Sequence, residues 1–181
     1  MKIWKLQKNK IYFEEKLVFD INYDIINIFK LEEGQDLPLG LYEEVLYESC
    51  LFKAYKLIAR QDYSRYLLQQ KLNFIYKNKK IVEKVLDNLV EKSYINDYDY
   101  AKAFIENKNY GKKRIEYELS LRGVDSSIIQ EIYSNIPRDE KEEIQKLMKK
   151  VEGKEFKKKV EFFLRRGYNL NDILDIIQNR R

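Results

Sequence analysis

The sequence predicts a mainly α-helical protein: three tandem three-helix repeats forming an elongated curved array, preceded by a small N-terminal β meander. Three observations carry this prediction. Six Gly and two Pro in 181 residues leave few helix breakers. The apolar pattern changes from a period of two before residue 40 to about 3.6 after it. The helical pattern then recurs along the chain.

The extension spans 1–40. Ile3 to Leu6 and Ile11 to Phe13 are short apolar stretches separated by the turn-like Lys8-Asn9-Lys10, which predicts two strands. From Leu17 to Tyr23, Leu17, Phe19, Ile21 and Tyr23 alternate with Asp20, Asn22 and Asp24, the pattern of a half-buried third strand. Such a sheet is marginal alone, so it is expected to pack on the helices C-terminal to it. Gly34, Pro38 and Gly40 close the segment.

The first repeat is expected over 42–92. Leu46, Cys50, Ala54, Leu57 and Ile58 form one stripe of a helix running to about Arg60. Ser64 is placed to cap a second helix carrying Leu67, Leu68 and Leu72, and Val82, Val85, Leu86 and Leu89 mark a third. A shift of 47 residues puts Leu72, Val82 and Val85 on Leu119, Ile129 and Ile132, and a further 44 puts them on Phe163, Ile173 and Ile176. These shifts define repeats over 96–136 and 138–179. Gly123 and Gly167 coincide under the second shift, each where a helix should end in a left-handed residue. Tyr76 stands at that place in the first repeat, and Asn78 is expected to make the turn instead. Units this small bury their apolar faces only by stacking.

Composition narrows the chemistry. The chain has no histidine, which excludes imidazole acid–base catalysis and histidine metal sites. Its one cysteine, Cys50, cannot make an internal disulfide and sits on an apolar stripe, as an inert buried thiol would. Neither a signal peptide nor an apolar run long enough for a membrane helix is present, so a cytoplasmic protein is expected, without cofactor. The net charge of +5 is uneven. Residues 41–96 carry +3 and residues 138–181 carry +4, while the two remaining segments carry −1 each.

Four groups of side chains invite a chemical reading. Asp97 and Asp99 in Asn96-Asp97-Tyr98-Asp99 could hold magnesium as in a carboxylate-metal nuclease; the favoured reading is that Asp97 caps a helix and Asp99 joins its first turn. Gly111 opens a string in which Lys112, Lys113 and Arg114 occupy a first helical turn. Cations there oppose the helix dipole, which points to an anion supplied from outside or to a solvated face. Lys157, Lys158, Arg165 and Arg166 charge the last repeat, and Arg60, Arg65, Lys71, Lys79 and Lys80 the first, with tyrosines interleaved. Basic and aromatic side chains together suit a binding surface.

Four motifs in order then resemble the RecX family: Ala54-Tyr-Lys-Leu-Ile-Ala-Arg-Gln-Asp-Tyr-Ser64, Asp97-x-x-Tyr-Ala101, Gly111-x-x-Arg-Ile-x-x-Glu-Leu-x-x-x-Gly-Val124 and Phe163-Leu-Arg-Arg-Gly-Tyr168. Leu31-Glu-Glu-Gly-Gln-Asp-Leu37 and the strands before it are similar to an extension that some members carry. Two departures fall in the first repeat, where Leu67-Leu68 replaces a glutamate–leucine pair and the glycine near Tyr76 is missing. The resemblance implies a non-enzymatic regulator of DNA repair and the SOS response. It would act as a monomer, bind the RecA filament and its single-stranded DNA, directly or through RecA, and restrain recombinase and co-protease activities. The twelve cations named from Arg60 to Arg166 are the expected contacts. The alternative is a stand-alone nucleic-acid-binding protein, such as a transcription regulator.

Overall fold

The computed structural model describes residues 1–136 and 138–178. The chain divides into two units, Met1–Asn96 and the remainder from Asp97 onward.

In the first unit, β1 (Ile3–Gln7), β2 (Lys10–Phe13) and β3 (Val18–Asp20) form an antiparallel sheet in that order. Leu6 faces Ile11 across β1 and β2, and Ile11 faces Phe19 across β2 and β3. The β1–β2 turn is Lys8-Asn9, with φ of 49° and 61°, the left-handed pair that a two-residue hairpin requires. The third strand is shorter than its alternation predicts. Leu17 and Tyr23 are 39% and 67% exposed, while Phe19 and Ile21 are buried. Asn22 flanks a helix, α1 (Tyr23–Ile28), and Asp24 lies in its first turn. Both residues served equally well as the polar face of a strand or as the start of a helix, and the second use prevails. The 31–37 segment folds back on β1 through Ile3 N–H to Gln35 O (2.9 Å) and Gly34 N–H to Ile3 O (2.8 Å).

Helices α2 (Leu39–Ile58), α3 (Arg65–Tyr76) and α4 (Lys79–Glu91) complete this unit. Sheet and helices share one core: Ile3, Ile11, Phe13 and Phe19 pack with Leu46, Cys50, Leu72 and Val85. Phe13 meets Tyr42 of α2 at 5.3 Å between ring centroids, and Phe19 meets Tyr76 of α3 at 5.8 Å. A three-stranded sheet thereby gains the apolar partner it needs. The Ser64 hydroxyl accepts from Leu67 N–H at 3.2 Å and caps α3. The turn after α3 departs from expectation. Lys77 takes the left-handed conformation (φ 52°), and Asn78, at φ −127°, caps α4 by accepting from Ile81 N–H at 3.1 Å. Asparagine is among the strongest helix N-caps, and at position 78 that use prevails over its tolerance of the left-handed region.

The second unit holds α5 (Asp97–Asn107), α6 (Lys112–Ser120), α7 (Ser126–Asn135), α8 (Glu140–Leu147), a short 3-10 turn over Met148–Val151, α9 (Phe156–Leu164) and α10 (Leu170–Gln178). The expected end of the last repeat, residue 179, lies outside the described residues. Two cores form. Ala101, Ile105, Ile115, Leu119 and Ile129 belong to one, and Ile144, Val151, Phe163, Tyr168 and Ile173 to the other. All nine positions aligned by the 47- and 44-residue shifts are buried. Helices α6 and α9 both end in a glycine-centred turn. Val124 N–H reaches Leu119 O (3.1 Å) and Tyr168 N–H reaches Phe163 O (3.3 Å), around Gly123 and Gly167 at φ 70° and 80°.

Candidate nucleic-acid interface

The start of α6 packs directly on the turn between α9 and α10. Gly111 N–H donates to Arg166 O at 2.8 Å, and the Arg114 guanidinium donates to Arg165 O at 2.9 Å. The two backbones touch. A Cβ on Gly111 would lie 2.4 Å from Gly167 O, and one on Gly167 would lie 2.5 Å from Arg114 Cβ. Glycine at both places is what lets the chains approach. Beside this contact, Arg138 donates to Glu143 through Nε at 2.6 Å and to Tyr110 O at 3.2 Å, while the Tyr168 hydroxyl donates to Glu143 at 3.2 Å.

The anion expected at the α6 N-terminus is part of this chain. Lys112 N–H donates to the carboxylate of Glu140, the first residue of α8. A negative side chain there offsets three cations at the positive end of the helix dipole. Lys112 also pairs with Glu116 at 3.9 Å and lies 5.1 Å from the Tyr133 ring. Lys113 is exposed. Arg114 pairs with Glu118 at 3.0 Å and lies over Tyr110 at 5.0 Å. Glu118 is held below the ordinary carboxylate range, chiefly by its hydrogen bond from Arg122 and then by Arg114.

On the other side of that contact, α9 lines a groove of about 770 Å3. Lys154, Lys158, Arg165 and Arg166 surround it, with Glu155 and Glu161 opposing them. Phe162 lies among the cations. The Arg166 guanidinium stacks 3.5 Å from its ring centroid, and Lys154 approaches to 5.8 Å. Lys158 meets Glu155 at 3.5 Å and Arg165 meets Glu161 at 3.4 Å, all four side chains being well exposed. Surface pairs of this kind are worth about 0–1 kcal/mol, so an incoming phosphate displaces them at small cost. Lys157 is exposed on the same helix. Sequence reading passed over the role of Phe162, although its spacing of four from Arg166 places both on one face of a helix.

Arg60 is exposed beyond the end of α2, Lys71 lies 5.8 Å from the Tyr63 ring, and Lys79 and Lys80 are exposed in the first turn of α4. Arg65 is engaged with Glu83 and, at 2.9 Å, with Asp87 of α4, its side chain 30% exposed. Asp97 is the first residue of α5 rather than the residue before it, and Asp99 shares that first turn. Among the described residues no three carboxylates or thiols gather where they could hold a metal ion. Burial pushes the Cys50 thiol up to about 12, leaving it protonated near neutrality. Among the described residues no helix is long and apolar enough to cross a membrane.

Comparison with known proteins places these features in company. The family model described as RecX, second three-helix domain, matches residues 96–132. The regulatory protein RecX of Vibrio vulnificus is 33% identical over 135 residues, covering 69% of this chain and 88% of its own. That of Caldanaerobacter subterraneus is 24% identical over 180 residues, covering 93% and 91%. A crystal structure of regulatory protein RecX superposes with a TM-score of 0.59 at 19% identity, covering 98% of this chain and 96% of that one. RecX from Lactobacillus salivarius gives 0.60 at 20% identity, covering 74% and 96%.

Proposed function

The chain belongs to the RecX family of regulatory proteins, and we propose that it is a non-enzymatic cytoplasmic regulator that binds the RecA filament on single-stranded DNA and restrains its recombinase and co-protease activities. The α9 groove is the observation that carries the reading. Four cations line it and two of them, Lys154 and Arg166, lie over the Phe162 ring, a combination that suits a phosphate backbone or an acidic protein surface. The other cations of the expected surface, apart from Arg65, Lys112 and Arg114 with their internal ion pairs, can add weaker contacts whose linkage raises total affinity. No bond needs to be made or broken. A ligand that prefers one filament state shifts the equilibrium by its differential affinity.

Cosedimentation with RecA filaments on single-stranded DNA tests this. A Lys154→Gln/Arg165→Gln variant, both residues exposed, is expected to bind filaments several-fold more weakly and with a smaller dependence on salt. Native filament binding by the folded variant removes the groove from the proposal. Tight binding of naked duplex with indifference to RecA replaces it with the stand-alone reading.

A further inference from the structure

A cavity of about 300 Å3 opens in the first unit where the Lys8-Asn9 turn meets the middle of α2. Lys8, Lys10, Lys53 and Lys56 line it, against one carboxylate, Asp20. Asp20 is taken by Lys53, at 2.7 Å. Among the described residues, Lys8, Lys10 and Lys56 form no ion pair. Three uncompensated cations around one small cavity raise its potential and favour an anion inside.

A second observation lies in the same place. Ser49 lines the cavity, is 2% exposed, and its hydroxyl has no hydrogen-bond partner. Buried hydroxyls are ordinarily paired, so an orphan asks for a missing acceptor. No hydrogen bond links it to the neighbouring Tyr76 hydroxyl, whose single proton is shared between the backbone oxygens of Ser49 (2.7 Å) and Asp20 (3.0 Å). A hydroxyl without a partner, in a cavity that three lysines outside any ion pair also line, is complementary to one kind of group, a tetrahedral oxyanion.

We propose that this cavity binds a phosphate group, with Lys8, Lys10 and Lys56 supplying charge and Ser49 donating a hydrogen bond. Its volume lies at the low end of the range for small-molecule sites, about 300–1,000 Å3. That leaves room for the phosphate and its sugar. The phosphate comes either from the backbone of a single strand or from a free nucleotide. The site uses none of the twelve cations assigned to the filament surface, and its readout needs no RecA, so it stands or falls separately from the proposed function.

The test uses the full chain. A labelled oligothymidylate is titrated by anisotropy, and ATP and inorganic phosphate by calorimetry. Ser49→Ala is expected to weaken binding about tenfold, the worth of one hydrogen bond to a charged group. Lys8→Gly/Lys56→Gln should weaken it as much or more and lower the salt slope by about two. This pair preserves the fold, since glycine suits the left-handed φ of 49° at Lys8, and Lys56 is exposed. Weaker oligothymidylate binding identifies the strand backbone as the source. A loss confined to ATP and inorganic phosphate identifies the free nucleotide. Native affinity of both folded variants for all three probes overturns the proposal, as does failure of the native chain to bind any of them.

Discussion

Gly111→Ala should damage the second unit out of proportion to one added methyl. The new Cβ would lie 2.4 Å from Gly167 O, 2.5 Å from Gly167 C and 2.5 Å from Tyr168 N, all backbone atoms. No rotamer change relieves this, and normal contact at about 3.5 Å requires the two backbones to part by about 1 Å. Overpacking of this kind costs about 1–3 kcal/mol. Parting also stretches the Gly111 N–H bond to Arg166 O (2.8 Å) and the Arg114 bond to Arg165 O (2.9 Å). Those two bonds are worth about 1 kcal/mol each. Alanine restricts the unfolded chain by about 0.4–1 kcal/mol in favour of folding, but it is a poorer N-cap than glycine by a similar amount. The net loss is about 3 kcal/mol, which corresponds to roughly hundredfold faster exchange of the most protected amides of α6 and α9. Hydrogen exchange on the full-length variant measures this. Gly40→Ala is the control, because nothing lies within 4 Å of its added Cβ, and it should be neutral or slightly stabilising. Native protection in Gly111→Ala would refute the packing argument.

Tyr76→Phe removes a hydroxyl that donates to the backbone oxygens of Ser49 and Asp20 inside the first core. It should cost about 1–3 kcal/mol in urea unfolding, and a native midpoint would show that water already satisfies both carbonyls. Cys50 gives a pH signature. Its thiol is pushed up to about 12 by burial from an ordinary 9.0, so the stabilisation is complete below pH 9 and is lost as pH rises toward 12. At pH 10.5 the loss from this group is about 2 kcal/mol. Urea midpoints of the native chain and of Cys50→Ala should therefore converge above pH 9; a constant gap would contradict it.

The repeating helices were legible because burial and periodicity are local properties. Leu72, Leu119 and Phe163 each sit on an amphipathic stripe that a short window reveals, and all three are buried. Turn chemistry was legible only in part. Gly123 and Gly167 announced their left-handed turns, whereas Lys77 did not, since nothing in a lysine marks it for φ 52°. Tyr23–Ile28 was missed because six residues fit a strand's alternation as well as a helix's first turn. The interface suffered most. The Gly111–Gly167 contact joins residues far apart in the chain, and no single-sequence pattern pairs them. The same holds for Glu140, whose carboxylate takes the place of the external anion that the first turn of α6 invited.

Those long-range contacts explain why the α9 groove can be a stable feature on a short helix. Helix α9 ends at Leu164, and the carbonyls of Arg165 and Arg166 just beyond it need partners. Both are supplied by α6, through the Gly111 N–H and the Arg114 guanidinium. Two of the groove's cations thus belong to residues whose backbone is held by the start of α6. The Arg166 side chain is further fixed by its stacking on Phe162 and by its bond to Phe162 O at 3.0 Å. Arg114 therefore acts as a clamp more than as an exposed charge. Changing it to lysine would keep the net charge yet lose the fork that reaches Arg165 O and Glu118 together. Charge alone does not define this surface; its placement depends on two glycines that carry no charge at all.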